Sequence, residues 1–133
     1  MPTGDQADVL LAFDELFDAL LSRRDADEGA GLFLEEADTV MWGSEQHERS
    51  RGRPEIEALQ REIASFAGEI AFRWHQRSVH VERDVAWVNA DGEVTVTPAG
   101  AEPRKTPYRL TAVFGRRDGR WRWHTFHGSE PNA

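Results

Sequence analysis

Two side chains that could carry out acid–base chemistry lie on the last two predicted strands of this 133-residue chain. His127 has an imidazole that can accept or donate a proton near neutral pH. Arg109 has a fixed positive charge that can bind a carboxylate or stabilise a developing enolate. Together in a pocket they would be the catalytic residues of a cofactor-independent proton transfer. The alternative is that both are structural, with Arg109 paired to a helix acid such as Glu62.

Aromatic and hydroxyl side chains on the predicted strands are the candidate ligand-binding residues. Trp42, Trp87 and Trp123 could form the walls of a cavity for a flat apolar ligand, with ordinary core packing as the alternative. Strand alternation puts Thr111 on the face of Arg109, and Thr125 on the face of His127. The expected partner is a small apolar or cyclic ligand with a polar group.

Other polar residues give weaker indications. His47 and Glu48 lie in the loop before the third helix, near the expected pocket mouth, where a solvated loop is the favoured interpretation. The chain has no cysteine, no glycine-rich phosphate loop and no histidine pair at metal-ligand spacing on a helix. The sequence therefore predicts no metal and no cofactor.

Helices are predicted in the first half of the chain, where apolar residues recur at helical spacing. The first helix is expected over residues 5–22 and a second over 25–34, with Asp25 and Glu28 forming a capping box. A short strand is expected at 39–42. The third helix is expected over 54–66, because Pro54 suits a first helical position.

The hydrophobic period changes from 3.6 to 2 after Gly68, which indicates strands. Strands are predicted from residue 70, over 84–97, over 108–114 and over 121–127. Helices followed by a strand meander indicate an α+β domain with an antiparallel sheet. One domain over residues 1–133 is expected, because a chain of this length rarely holds two cores.

The last hairpin allows two registers, and they place opposite faces in the pocket. A two-residue Asp118–Gly119 turn would align Leu110 with His127. A three-residue loop with Gly119 in a bulge would align Arg109 with His127, Thr111 with Thr125, and Val113 with Trp123. The second register is favoured here.

Several short motifs give the chain a family resemblance. They are ERxxGR from Glu48, DVAWV from Asp84, RLTAV from Arg109, and DGRW from Asp118 leading to HxSxP from His127. With these motifs the chain resembles the SnoaL-like group of the nuclear transport factor 2-like (NTF2-like, ketosteroid isomerase-like) superfamily. The resemblance implies a cone-shaped, cystatin-like fold with three helices packed on a curved sheet. It also implies that Arg109, Thr111 and His127 face the cone.

One departure from the catalytic members of that superfamily concerns acids. Those members usually place an Asp or Glu in the pocket, yet the cavity faces assigned to the last two strands carry none. The resemblance therefore does not imply an Asp–His catalytic dyad in this chain. In this register an apolar outer stripe remains, made of Leu110, Ala112, Phe114 and Phe126, which predicts a homodimer through the outer sheet face.

The net charge and the lack of a basic run disfavour two classes of binding partner. The net charge is −8 and no basic run is present, so nucleic acid and anionic membrane surfaces are poor partners. No apolar run approaches the roughly 20 residues that span a bilayer, and a cytoplasmic location is expected. Three functions stay open: an isomerase, cyclase or dehydratase without cofactor, a non-catalytic ligand-binding pocket, and a dimerisation module.

Overall fold

The helices begin and end close to where the sequence predicts them. The structure is a computed structural model that describes residues 4–131; residues 1–3 and 132–133 of the predicted domain lie outside that range. The Asp25 side chain accepts the Glu28 backbone N–H at 3.0 Å, which confirms the Asp25 half of the predicted capping box. The other half is wrong, because the Asp25 backbone N–H donates to the Ala19 carbonyl oxygen and the Glu28 carboxylate pairs with Arg23. Within residues 4–131, every helix is too short or too polar to cross a lipid bilayer. The helices are α1 (Gly4–Phe17, continued by a π-helical turn, Asp18–Ser22), α2 (Ala26–Gly31) and α3 (Arg53–Ala64).

Six strands form one curved sheet, which confirms the α+β class and the predicted meander. In space they follow the order β2-β1-β6-β5-β4-β3. The four long strands pair antiparallel, as predicted, but β1 pairs with β6 in parallel. The expectation of a wholly antiparallel sheet was therefore wrong. Between these two strands the chain forms the β1–β2 hairpin, then α3, then the three hairpins that join β3 to β6. β6 therefore lies beside β1 and runs in the same direction as β1. The strands are β1 (Val40–Trp42), β2 (Arg49–Arg51), β3 (Gly68–Glu82), β4 (Val85–Pro98), β5 (Arg104–Arg117) and β6 (Arg120–Ser129).

The core lies between the helices and the inner sheet face, and Trp123 is at its centre. Trp123 is completely buried. Its indole N–H donates to the Ala12 carbonyl oxygen at 3.2 Å, which ties β6 to α1. Ring centroids of Phe114 and Phe13 lie 4.7 and 5.4 Å from it. Trp123 is therefore a core residue rather than a wall of a ligand cavity, which confirms the alternative interpretation of ordinary core packing.

The last hairpin adopts neither of the two predicted registers. Arg117 pairs with Arg120 across a two-residue turn, and one extra residue of β6, His124, forms a bulge. The turn residues Asp118 and Gly119 have φ of 53° and 77°, as a two-residue turn of type I′ requires. The favoured three-residue loop is therefore wrong, because the extra residue is absorbed inside β6 rather than in the loop.

The bulge breaks the strict alternation that the prediction assumed along β6. Thr111 pairs with His127, and Val113 pairs with Thr125, on the outer face. Phe114 pairs with Trp123 on the inner face. The predicted outer stripe is correspondingly wrong, since all four of its residues belong to the buried core: Leu110, Ala112, Phe114 and Phe126.

Candidate functional site

A chamber of about 400 Å³ opens between the helices and the inner sheet face. Its walls are mainly apolar, because α1 and α3 turn their apolar stripes toward it and the long strands contribute alternate residues. The volume suits a small ring compound. Its main apolar lining residues are Leu16, Phe17, Leu20, Leu59, Ile63, Phe66, Ile70, Phe72, Val94 and Phe126.

One end of the chamber is polar. It is lined by Ser44 and Glu48 from the β1–β2 loop, Tyr108 from β5 and Glu130 after β6. The Ser44 hydroxyl donates to Glu130 Oε2, which connects the loop to the end of the chain that the structure describes. A ligand in the chamber would therefore meet apolar walls and, at one end, acids with hydroxyl groups.

Glu48 is held by a tight turn of the β1–β2 loop. Its Oε1 accepts the Glu45 backbone N–H at 2.9 Å, and its carbonyl oxygen accepts the Gly43 N–H at 2.8 Å. A Cβ on Gly43 would come within 2.5 Å of Glu48 Oε1, so the glycine makes room for the carboxyl group. The half-buried carboxyl therefore has a defined position.

Burial raises the pKa of the Glu48 carboxyl above its ordinary value of 4.5. The negative charges of Glu45 and Glu62 add to this effect, whereas the Glu45 N–H and His47 oppose it. A carboxyl group whose pKa is shifted toward neutrality is a stronger base than an ordinary one and can also serve as an acid. Glu48 therefore has the properties of a general acid–base group.

Tyr108 supplies a hydroxyl group to the same end. Its side chain is buried, and its ring packs edge-on against Phe72 with centroids 4.9 Å apart. Burial, followed by the negative charges of Glu48 and Glu130, raises the pKa of the Tyr108 hydroxyl above its ordinary value of 10.0. The hydroxyl therefore stays protonated and can donate a hydrogen bond to a ligand oxygen.

The rim of the chamber is more exposed. His47 Nε2 lies 3.1 Å from Glu62 Oε1, which connects the β1–β2 loop to α3. Arg104 and Glu45 complete the charged rim. The loop containing His47 and Glu48 thus does lie at the pocket mouth. Glu48 lines the chamber, so the favoured interpretation of a solvated loop was wrong for that residue.

The residues predicted to form the site lie elsewhere. Arg109 points to the outer face, where its side chain is 66% exposed and its Nε lies 3.4 Å from Asp91 Oδ1. His127 is exposed on the same outer face, paired with Thr111 rather than with Arg109. The alternation of β5 and the bulge in β6 together put them there. Arg109 and Thr111 line an open groove of about 280 Å³ on that face, but neither Arg109 nor His127 lines the chamber, so the predicted cavity shared by Arg109 and His127 is wrong.

The predicted ligand-binding residues are also outside the chamber lining. Trp42 contacts His127 at an edge, with centroids 5.8 Å apart, and Trp87 stacks on His80 at 4.4 Å. Thr111 is exposed and Thr125 is half-buried, both on the outer face, and Trp123 is in the core. Four of these side chains therefore lie on the outer sheet face and Trp123 lies in the core, rather than together in one pocket.

Sequence reasoning missed Tyr108, Ser44 and Glu130. Tyr108 lies two residues before Leu110 and so shares its strand face, and the wrong hairpin register therefore puts Tyr108 on the outer face as well. One signal was available, because the apolar pattern of Leu110, Ala112 and Phe114 fits a buried face as well as a dimer stripe. No local pattern marks Ser44 or Glu130, which the fold brings together from distant positions.

The comparisons with known proteins identify the family and the fold. The family model described as "SnoaL-like domain" matches residues 9–133, so the chain belongs to the SnoaL-like family. The chain matches no curated protein.

Solved structures of NTF2-like proteins share the fold over nearly the whole chain. A candidate dehydratase of the NTF2-like family from Streptomyces avermitilis has 22% identity and a TM-score of 0.86, covering 99% of this chain and 100% of that one. An NTF2-like protein of unknown function from Pseudomonas putida has 20% identity and a TM-score of 0.81, covering 100% and 91%. ActVI-ORFA from Streptomyces coelicolor has 18% identity and a TM-score of 0.78, covering 98% and 100%. The fold is therefore NTF2-like.

Proposed function

We propose that this protein catalyses cofactor-independent proton transfer on a small apolar ring compound, with Glu48 as base and Tyr108 as hydrogen-bond donor. The observation that carries this proposal is the half-buried Glu48 carboxyl at the polar end of an apolar chamber of about 400 Å³. The chemistry is the kind that the sequence predicted. The groups are different, since His127 and Arg109 do not line that chamber.

The ionised Glu48 carboxyl would remove a proton from carbon next to a carbonyl group of the ligand. The carbonyl oxygen would become negatively charged, and the Tyr108 hydroxyl would stabilise it with a hydrogen bond. Protonated Glu48 would then return the proton to another carbon, which is isomerisation. Alternatively, it would give the proton to a hydroxyl group that departs as water, which is dehydration. Atoms and electrons balance in both reactions without a metal or a redox partner.

The walls support a ring compound as the ligand. Phe72 and Phe17, with ring centroids 5.1 Å apart, both line the chamber. Rings of this kind bind flat apolar ligands through offset or edge contacts. A carbonyl group on such a ligand would be directed toward the polar end of the chamber, where Tyr108 and Ser44 carry hydroxyl groups that can donate hydrogen bonds.

An activated carbon acid tests this proposal without knowledge of the natural substrate. In 5-nitrobenzisoxazole, loss of one carbon-bound proton breaks the N–O bond and releases a coloured cyanophenolate. The wild type should accelerate this reaction over the same concentration of acetate, and Glu48→Gln should abolish the acceleration. Glu69→Gln is the matched control, because Glu69 is an exposed carboxyl that does not line the chamber. Equal rates for wild type and Glu48→Gln would contradict the proposal.

The second function is non-catalytic binding of the same class of ligand. The apolar walls favour binding as much as they favour catalysis, and the half-buried Glu48 carboxyl is the feature that favours an enzyme. A wild type that binds 5-nitrobenzisoxazole, seen as quenching of tryptophan fluorescence, but reacts no faster than acetate would establish the binder. The cytoplasmic location stays a prediction.

Homodimerisation also stays a prediction, and its surface has to be redefined. With Leu110 and Phe114 in the core, the outer face offers Trp87, Trp42 and Val113 instead. We propose that a second copy covers this face. Sedimentation velocity at micromolar concentration should then show a dimer that Trp87→Glu converts to a monomer, and a monomeric wild type would contradict it.

A further inference from the structure

Three side chains able to bind a metal lie together outside the chamber. Glu36 and Asp38 belong to the segment between α2 and β1, and His124 belongs to β6. One ligand atom of each lies within 4.8 Å of the other two. We propose that Glu36, Asp38 and His124 bind a divalent transition-metal ion of the zinc type.

The distance between the ligand atoms of Asp38 and His124 fits such an ion. Asp38 Oδ1 lies 3.3 Å from His124 Nε2. A tetrahedral zinc ion with bonds of about 2.0–2.1 Å separates neighbouring ligand atoms by about 3.4 Å. These two groups therefore already have the separation of adjacent zinc ligands, and only the Glu36 carboxyl has to approach.

The bulge in β6 and its neighbour Thr125 orient the imidazole. His124 is the residue that the bulge inserts between the pairs of Val113 and Phe114. Its Nδ1 lies 2.7 Å from Thr125 Oγ1, so Nε2 is the nitrogen that faces Asp38. Metal-binding histidines usually have their second ring nitrogen fixed by such a hydrogen bond.

Two carboxylates and one imidazole face each other at this position. Arginines also lie near Glu36: Arg117, whose Nη2 lies 2.9 Å from Glu36 Oε2, and Arg51 and Arg53, which line a groove with Glu36. A carboxylate has two oxygens, so Glu36 can keep this ion pair and bind a metal through the other oxygen. With three protein ligands the ion would keep one open coordination position for water.

The ligands come from two separate parts of the chain, which is why sequence spacing predicted no metal. Asp38 and Glu36 precede β1, and the parallel pairing of β1 with β6 brings them beside His124. A bound ion would join this segment to β6. Because the metal would bind the folded chain only, it should raise the stability of the fold.

Calorimetric titration of the chelator-treated full chain with zinc chloride tests the proposal. The wild type should bind one ion, and its midpoint of thermal unfolding should rise with zinc concentration. His124→Ala and Asp38→Asn should each weaken binding at least about tenfold, and Thr125→Val about tenfold, as expected for a group that fixes a ligand. Circular dichroism checks that each variant is folded.

His80→Ala is the matched control, because His80 is an exposed histidine of the outer sheet face that stacks on Trp87. Its affinity for zinc should equal that of the wild type. Cobalt(II) gives a second measurement, since coordination by His124 should produce visible absorption bands that His124→Ala removes. No saturable zinc binding by the wild type, or equal affinity in His124→Ala, would overturn the proposal.

Discussion

The hydroxyl oxygen of Tyr108 lies in the space that a side chain at residue 128 would occupy. An ideal Cβ atom on Gly128 would be 1.9 Å from that oxygen and 2.5 Å from Cζ of the ring. Gly128 is buried in β6 and pairs with Leu110. The position of the hydroxyl group that faces the chamber therefore depends on a glycine in the neighbouring strand.

Gly128→Ala should displace the Tyr108 ring. Overpacking of this kind lowers the free energy of unfolding by about 1–3 kcal/mol, and the rate with 5-nitrobenzisoxazole should fall with it. Urea unfolding and the rate assay measure the two effects. Gly31→Ala is the control, because nothing lies within 4 Å of a Cβ there. Equal stability of the two variants would show that the ring can shift freely.

Glu48→Gln should make the protein more stable at neutral pH. The folded-state pKa of Glu48 is raised, so the folded chain binds this proton more tightly than the unfolded chain does. Stability is therefore lost as pH rises from below 4.5 through the folded pKa. The gain for Gln is at most about 1.4 kcal/mol for each pKa unit, and solvent screening reduces it at a half-buried site.

Denaturation of wild type and Glu48→Gln at several pH values tests this sign. The stability difference should be largest near neutral pH and disappear below 4.5, where Glu48 is protonated in both states. A difference that stays constant across this range would mean that the substitution acts through packing rather than through the charge.

The rate with the carbon-acid probe should rise with pH. The midpoint should lie above 4.5, because the ionised carboxyl is the base and burial raises its pKa. No second limb should appear near pH 10.0, since the pKa of Tyr108 is raised above that value. Tyr108→Phe should lower the plateau at least about tenfold. A midpoint at or below 4.5 would contradict the assignment of Glu48.

Trp123→Ala should destabilise the fold by about 3–5 kcal/mol, because a fully buried indole leaves a large cavity. Trp121→Ala, at a half-buried position beside the last turn, should cost much less. Chemical denaturation compares the two variants. Similar losses in both would contradict the central packing role of Trp123.

Arg109→Ala should leave the probe rate within about twofold of the wild type. Its partner Asp91 is 62% exposed, and an exposed pair of this kind contributes at most about 1 kcal/mol. The rate assay therefore tests whether Arg109 takes part in the reaction. A large loss of rate in Arg109→Ala would place the chemistry on the outer face.

The amino-acid sequence determined the elements. Helical spacing of apolar residues fixed α1 and α3, the Asp25 cap fixed the start of α2, and the change of period after Gly68 fixed the long strands. These signals are local, since each depends on residues that are neighbours along one helix or strand. The short motifs then indicated the family, and with it the order of elements and the cone.

Only the tertiary structure decided which face of each strand meets the chamber. One inserted residue, His124, reverses the alternation of β6, and the choice between a loop and a bulge depends on packing across the whole sheet. Trp123 enters the core and His127 faces outward as a result. Tyr108, Glu48 and Glu130 come from separate segments, and the fold alone brings them to one end of a cavity. Local sequence spacing does not predict such contacts, because they join residues that are far apart in the chain.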